Sequence, residues 1–114
     1  MSLKERFATY LEAYSAKNLQ QVADMFAADI SLRDWKIAVA GKEAAVAETD
    51  KNFRAAKTIE IEILATYESD SSIAGELKIV VDRSEVLYVV DVLSFNANGQ
   101  INSIRAYLGR GALQ

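Results

Sequence analysis

The sequence predicts a single α+β domain, with helices in its first half and an antiparallel sheet in its second half. Apolar side chains recur at helical spacing from Leu3 to Phe53, and they alternate with polar ones from Ile59 onward. Short turn sequences separate the later strands, and such connections favour a meander of neighbouring antiparallel strands. The chain of 114 residues suits one domain, so residues 1–114 are assigned to a single unit.

Apolar spacing and capping residues predict three helices. The first, near residues 3–14, places its aromatic and leucine side chains on one face. Asn18 is a favourable N-cap for the second helix, whose apolar stripe includes Phe26 and fades at Asp29. The third covers about 42–57, with acidic residues near its start and basic ones near its end, an order that suits the helix dipole.

Alternating apolar and polar residues predict five strands. They cover residues 30–35, 58–68, 73–81, 86–95 and 101–108. Asn98-Gly99 is a strong hairpin signal between the last two strands. If these two residues form the whole loop, paired residue numbers across this hairpin sum to 197. Asp91 then lies opposite Ala106, and Leu93 lies opposite Ile104.

The absence of two residue types limits the chemistry that this chain can perform. It contains no Cys and no His, which excludes disulfides, thiolate nucleophiles, Ser-His-Asp triads and most zinc sites. Acid–base catalysis near neutral pH would therefore depend on carboxylates, Tyr or Lys. The five glycines are scattered and form no phosphate-binding loop. We expect no metal and no cofactor.

Charge and hydropathy also limit the expected partners. The formal net charge is −3 and the basic residues are scattered, so we expect no nucleic-acid partner. The longest apolar run, residues 86–90, has five residues and is too short to cross a membrane. The first residues lack the apolar region of a signal peptide. These features predict a cytoplasmic protein that does not associate with membranes.

The strand at residues 86–95 is apolar on both faces, although a sheet with helices on one side usually leaves its other face to solvent. We therefore expect a second copy of the chain to cover the outer face, giving a homodimer. Asp91 lies within one of the apolar rows of this strand. Burial of an unpaired carboxylate raises its pKa. Asp91 is thus either a core acid held by a backbone or Tyr donor, or a neutral acid in a pocket.

Two long stretches of the chain resemble bacterial ketosteroid isomerases. The first contains YLEAYSAKNL at residues 10–19, MFAAD at 25–29 and SLRD at 31–34. The second contains VDVLSFN at 90–96 and SIRAYLG at 103–109. The wider group is the nuclear-transport-factor-2-like superfamily, which includes SnoaL-like polyketide cyclases. The resemblance implies a cone-shaped, curved antiparallel sheet packed on three N-terminal helices, a cystatin-like fold with a deep apolar pocket.

The resemblance also implies roles for individual residues. Tyr10 and a protonated Asp91 would form an oxyanion hole, and Asp34 would carry the proton. The implied pocket walls are apolar and comprise Trp35, Phe53, Leu93, Ile104 and Leu108. Where some isomerases have a Tyr that supports the oxyanion-hole Tyr, this chain has Thr49.

The function implied is that of a cofactor-independent isomerase of the ketosteroid Δ-isomerase type, acting on a small hydrophobic ketone. A SnoaL-like cyclase that closes a ring by an aldol step would use the same residues. A non-catalytic domain that binds a small ligand, or a dimeric adaptor, would keep the fold and need no base.

Overall fold

The computed structural model describes residues 1–109, which form three helices and six strands. In chain order these are α1 (Leu3–Ser15), α2 (Leu19–Met25), β1 (Phe26–Arg33), β2 (Ala38–Ala40), α3 (Lys42–Ala55), β3 (Ile59–Ser69), β4 (Ser72–Val81), β5 (Glu85–Phe95) and β6 (Ile101–Leu108). The α+β class is confirmed. The predicted domain end at residue 114 lies outside the described residues.

All six strands belong to one unclosed sheet in the order β2-β1-β6-β5-β4-β3. Neighbouring strands are antiparallel except β1 and β6, which pair in parallel. The helices cover one face, where α1 contacts β3 and β4 and α3 contacts β1. The core lies in this layer, and its largest fully buried side chains are Phe7, Phe26, Ile30, Ile73, Leu77, Leu93, Ile101 and Val22.

The second helix ends earlier than its sequence pattern predicts. Asn18 caps it as expected, because its Oδ1 accepts a hydrogen bond from the Gln21 amide at 3.1 Å. The helix nevertheless stops at Met25, and Phe26 begins β1, so the predicted helical Phe26 and the predicted strand start at residue 30 are wrong. Pairing of Phe26 with Ile101 on β6 outweighs the local helical pattern. A short strand, β2, also lies just before Gly41, where the sequence pattern predicts no strand.

The last hairpin confirms the predicted register but not the predicted loop. Asp91 pairs with Ala106, and Leu93 pairs with Ile104. The turn is longer than two residues: the Gly99 amide donates to the Asn96 carbonyl at 3.0 Å, and Gly99 has φ 77°. A turn followed by a left-handed glycine is a common three-residue hairpin loop. A register shift between Ser94 and Phe95 restores the predicted pairing.

Gly75 allows α1 to approach β4 closely, beside Asp91. A Cβ atom at residue 75 would lie 2.2 Å from Phe7 Cε2, a distance that forces the ring to move. We expect Gly75→Ala to lower the free energy of unfolding by about 1–3 kcal/mol, because overpacking strains a buried contact. Thermal unfolding measures this loss. Adding Phe7→Leu should recover part of it, whereas additive losses in the double variant would show that the ring contact is not the cause.

Candidate active site

Asp34 and Asp91 lie on either side of Ala106 in the sheet. On one side of β6, Ala106 pairs with Asp91 of β5. On its other side β6 pairs in parallel with β1, and the last residues of this pairing are Arg33 and Arg105. Asp34, the next residue, therefore comes level with Ala106. Two strand spacings separate the two acidic residues, so their Cα atoms are about 10 Å apart. Ala106, which has a small side chain, lies between them in the sheet.

The pKa of the Asp91 carboxyl lies near 7. Burial raises its pKa from 3.8 to about 7, and the negative charge of Asp34 contributes to the rise. The described residues donate no hydrogen bond to this carboxyl, and the side chain is half-buried in an apolar row. Near pH 7 a large fraction of Asp91 is therefore protonated and able to donate a hydrogen bond to a ligand.

Tyr10 provides a second neutral donor near Asp91. Its side chain is only 5% exposed. Burial raises the pKa of its phenol well above 10, and the nearby Tyr14 and Asp91 raise it further. Within residues 1–109 its hydroxyl has no hydrogen-bond partner. Tyr10 and Asp91 thus form a pair of hydrogen-bond donors that a carbonyl or enolate oxygen would satisfy.

Tyr14 belongs to the same group, although its position in the sequence predicts an ordinary core residue. Its ring lies 5.9 Å from that of Tyr10 and packs edge-on against Phe53 at 4.8 Å. Its hydroxyl accepts a hydrogen bond from Asn52 at 3.2 Å. Burial raises the pKa of Tyr14, and so do the charges of both Asp91 and Asp34. The only sequence signal for this role is its spacing of one helical turn from Tyr10.

Asp34 lies in the tight connection between β1 and β2, where its backbone and side chain are both held. Its Oδ1 accepts hydrogen bonds from the amides of Lys36 at 2.7 Å and Ile37 at 2.9 Å. Its own amide donates to the Ile37 carbonyl at 3.0 Å. These bonds fix the orientation of the carboxylate and leave Oδ2 without a partner in the described residues. Such an oxygen can accept a proton.

A cavity of about 240 Å³ opens at the end of β1. Its lining consists of Arg33, Asp34, Trp35, Arg105, Ala106, Tyr107 and Leu108. Of the predicted pocket residues, it thus includes Trp35 and Leu108. The other three lie in the core and are 0–4% exposed: Phe53, Leu93 and Ile104. Tyr10 and Asp91 are also absent from its lining.

Two further observations concern metals and membranes. Among residues 1–109, no three or more acidic side chains are grouped so that they could hold a metal ion. In the same part of the chain, no helix is both long enough and apolar enough to cross a membrane.

Comparison with known proteins places the chain in a family. Residues 7–104 match the SnoaL-like domain. The chain belongs to the SnoaL-like domain family. This family is part of the nuclear-transport-factor-2-like superfamily, so the resemblance seen in the sequence is confirmed. A SnoaL-like protein of unknown function from Burkholderia thailandensis has the same fold, with a TM-score of 0.84 at 15% identity, over 96% of this chain and 99% of that chain.

Two proteins that are similar to this chain have named activities. A steroid Δ-isomerase from Nocardioides simplex is 30% identical over 112 residues, which covers 96% of this chain and 91% of that protein. The second is the epoxide hydrolase/cyclase-like enzyme SalBIII, which has a role in pyran ring formation in the polyether salinomycin. Its structure has a TM-score of 0.81 at 20% identity. That match covers 93% of this chain and 89% of the SalBIII chain, and it shows the fold alone.

Proposed function

We propose that this protein is a cofactor-independent isomerase that moves a carbon–carbon double bond in a small hydrophobic ketone. The observation that carries this proposal is the juxtaposition of an oriented carboxylate, Asp34, with a half-buried carboxylic acid, Asp91, across Ala106. The similarity to a steroid Δ-isomerase supports the same chemistry. When their surroundings give two acids different pKa values, the ionised one can act as the base and the protonated one as a hydrogen-bond donor.

In the proposed reaction, Asp34 Oδ2 removes a proton from the carbon between the carbonyl group and the double bond. The electron pair of that C–H bond moves into the π system, giving a dienolate with its negative charge on oxygen. Tyr10 and protonated Asp91 donate hydrogen bonds to this oxygen. Asp34 then returns the proton to the far carbon of the former double bond, which yields the conjugated ketone. The reaction has no net change in protons or electrons.

Tyr14 would support this arrangement without contacting the substrate. Its ring packs on Tyr10 and Phe53, and Asn52 holds its hydroxyl. It therefore fixes the position of the Tyr10 ring from the side of α3. Tyr14 would thus take the role of the supporting Tyr of some isomerases, at whose position this chain has Thr49.

A cyclase and a non-catalytic binder are the competing functions. A cyclase that acts through an aldol step would also begin with proton removal by Asp34, so the two enzymes differ in substrate rather than in base. A binder would need the cavity and the donors but not the base. Proton transfer therefore separates both enzymes from the binder.

The direct test is conversion of a β,γ-unsaturated steroid ketone, such as 5-androstene-3,17-dione, to its conjugated isomer. We expect a rise in the ultraviolet absorbance of the conjugated enone above the rate in buffer. Ligand-induced thermal stabilisation, about 2.7 kcal/mol at 100 times the dissociation constant, shows whether the ketone binds. Binding without conversion would contradict the isomerase and favour a binder.

We also propose that the protein is a homodimer through the sheet face opposite the helices. This face carries the exposed aromatic side chains Tyr67 and Tyr107, which are 62% and 55% exposed, and the centre of β5 adds Val90 and Val92. Such a patch is typical of an interaction surface. Sedimentation equilibrium at micromolar concentration should give twice the chain mass of 12.6 kDa. Val90→Arg should shift the protein to the monomer, and a wild-type species of 12.6 kDa would contradict the dimer.

A further inference from the structure

The sheet face opposite the helices, here called the outer face, carries opposite charges on its two halves. On one side of β5, Arg33 of β1 and Arg105 of β6 are in register with the outward Val92, so both arginines point to the outer face. They form the basic half. The outward charged residues on the other side of β5, the acidic half, are three glutamates and one lysine of β3 and β4: Glu60, Glu62, Glu76 and Lys78.

These charged side chains are not neutralised by neighbours of opposite charge in the same chain. None of them forms an ion pair within residues 1–109. Glu76 Oε1 accepts a hydrogen bond from the Tyr67 hydroxyl at 3.4 Å, and Arg105 Nη1 donates one to Ser103 Oγ at 2.7 Å. A guanidinium has five N–H groups, so Arg105 can bind a further acceptor. A second copy of this chain offers an acidic half to the arginines and a basic half to the glutamates.

This complementarity determines how two copies would meet, and the inference rests on the proposed homodimer. We propose that the twofold axis of the dimer runs along the strands beside β5, so that the basic half of one copy covers the acidic half of the other. In a face-to-face dimer this axis lies between the two sheets and parallel to them. An axis across the strands would instead bring each half over its own copy and oppose like charges.

The axis along the strands brings Arg105 of one copy near the partner's Glu76. Their strands, β6 and β4, are the two neighbours of β5, so the axis places one strand over the other. Arg105 is level with Ala74, and Glu76 lies two residues along β4, about 7 Å away. Facing sheets are about 10 Å apart, a gap that these two long side chains span together. The contact occurs twice in each dimer.

The same axis places Arg33 over the partner's Tyr67. Their strands, β1 and β3, are each two strands from β5, and both residues are level with Val92. The Tyr67 side chain is 62% exposed in the single chain. A guanidinium over a tyrosine ring is favourable, most of all where water is excluded. The dimer would thus cover an aromatic ring and a cation that the single chain leaves in solvent.

Reversal of one charge should separate the two copies. Arg105→Glu and Glu76→Arg should each raise the dissociation constant of the dimer at least about 100-fold, because each variant opposes like charges at both symmetric contacts. Sedimentation equilibrium measures this constant, against a chain mass of 12.6 kDa. Circular dichroism shows whether each variant is folded.

A mixture of the two variants is the decisive measurement. In a mixed dimer the two substituted positions face each other with opposite charges, and the native Arg105 and Glu76 meet at the second contact. The mixture should therefore dimerise with a dissociation constant within about tenfold of the wild-type value. One chain that carries both substitutions should dimerise equally well, and it gives the same answer if a single variant fails to fold.

Arg54→Glu is the matched control, because it reverses the same charge on α3, where Arg54 pairs with Asp50 at 3.2 Å. It should remain a dimer. An equal effect of the control, or a mixture that stays monomeric, would overturn the proposed axis. So would Arg105→Glu chains that bind wild-type chains more tightly than Glu76→Arg chains, since that result fits an axis across the strands.

The outcomes distinguish the axis from the homodimer on which it rests. A monomeric wild type would overturn both. A dimeric wild type whose charge-reversed variants dimerise equally well, or do not recover on mixing, would overturn the axis alone. Conversion of a β,γ-unsaturated ketone tests the isomerase and is measured separately.

Discussion

Asp34→Asn should lower kcat for a β,γ-unsaturated ketone by about 10²–10⁴-fold, the contribution of a positioned general base. KM should change little, because the base acts on the proton that moves in the transition state. Asn keeps an oxygen that can accept the hydrogen bonds from the amides of Lys36 and Ile37, so the turn should persist. Steady-state kinetics and circular dichroism measure the two effects separately.

Asp29→Asn is the control for this substitution. Asp29 is exposed on β1 and does not line the cavity. Its substitution removes the same charge as Asp34→Asn. It should retain wild-type kinetics. Unchanged turnover in Asp34→Asn would show that Asp34 is only a turn-forming residue.

Asp91→Leu should lower kcat by about 10²–10³-fold, because the dienolate oxygen loses one of its two donors. Asp91→Asn should cost less, since the amide can donate a hydrogen bond in place of the carboxylic acid. This order, wild type above Asn above Leu, is specific to a donor role. Equal activity of the wild type and both variants would show that Asp91 does not act in the site.

The same variants test the protonation of Asp91 through stability. Its pKa is 3.8 ordinarily and about 7 in the folded protein, so between these values the unfolded chain releases a proton that the folded one keeps. The free energy of unfolding of the wild type should therefore fall as pH rises from about 4 to about 7, by at most about 4 kcal/mol. Above pH 7 this contribution stays constant.

Neither variant carries a group that titrates at residue 91, so the difference from wild type isolates this effect. Asp91→Leu should be at least as stable as wild type at pH 8, because it removes the cost of the poorly solvated acid. A lower melting temperature of Asp91→Leu at both pH 5 and pH 8 would show instead that Asp91 holds the fold together through a hydrogen bond.

Local sequence patterns predict most of the fold, because strand alternation and turn residues act over a few positions. They place Asp91 opposite Ala106 even though the loop at Gly99 is longer than two residues, since the bulge near Phe95 compensates. They fail at Phe26, where helical and strand periods coincide over a short segment. Pairing with Ile101, which is distant in sequence, decides that position.

The candidate site is predictable only in part. The family resemblance indicates Tyr10, Asp34 and Asp91, but the contribution of Tyr14 depends on how α1 packs against α3 at Phe53. The position of Asp34 relative to Asp91 likewise depends on the parallel register of β1 and β6. The sequence pattern predicts an antiparallel meander and contains no signal for that pairing.

In the proposed function Asp34 removes a proton from a carbon next to a carbonyl group, a step that an isomerase and a cyclase share and a binder lacks. Proton NMR in D2O measures this directly, as the loss of α-proton signals from a ketone that the protein binds. We expect wild-type protein to accelerate this exchange above the rate in buffer, and Asp34→Asn to bring it back to that rate. Exchange at the buffer rate with saturating wild-type protein would contradict the role of Asp34 as a base.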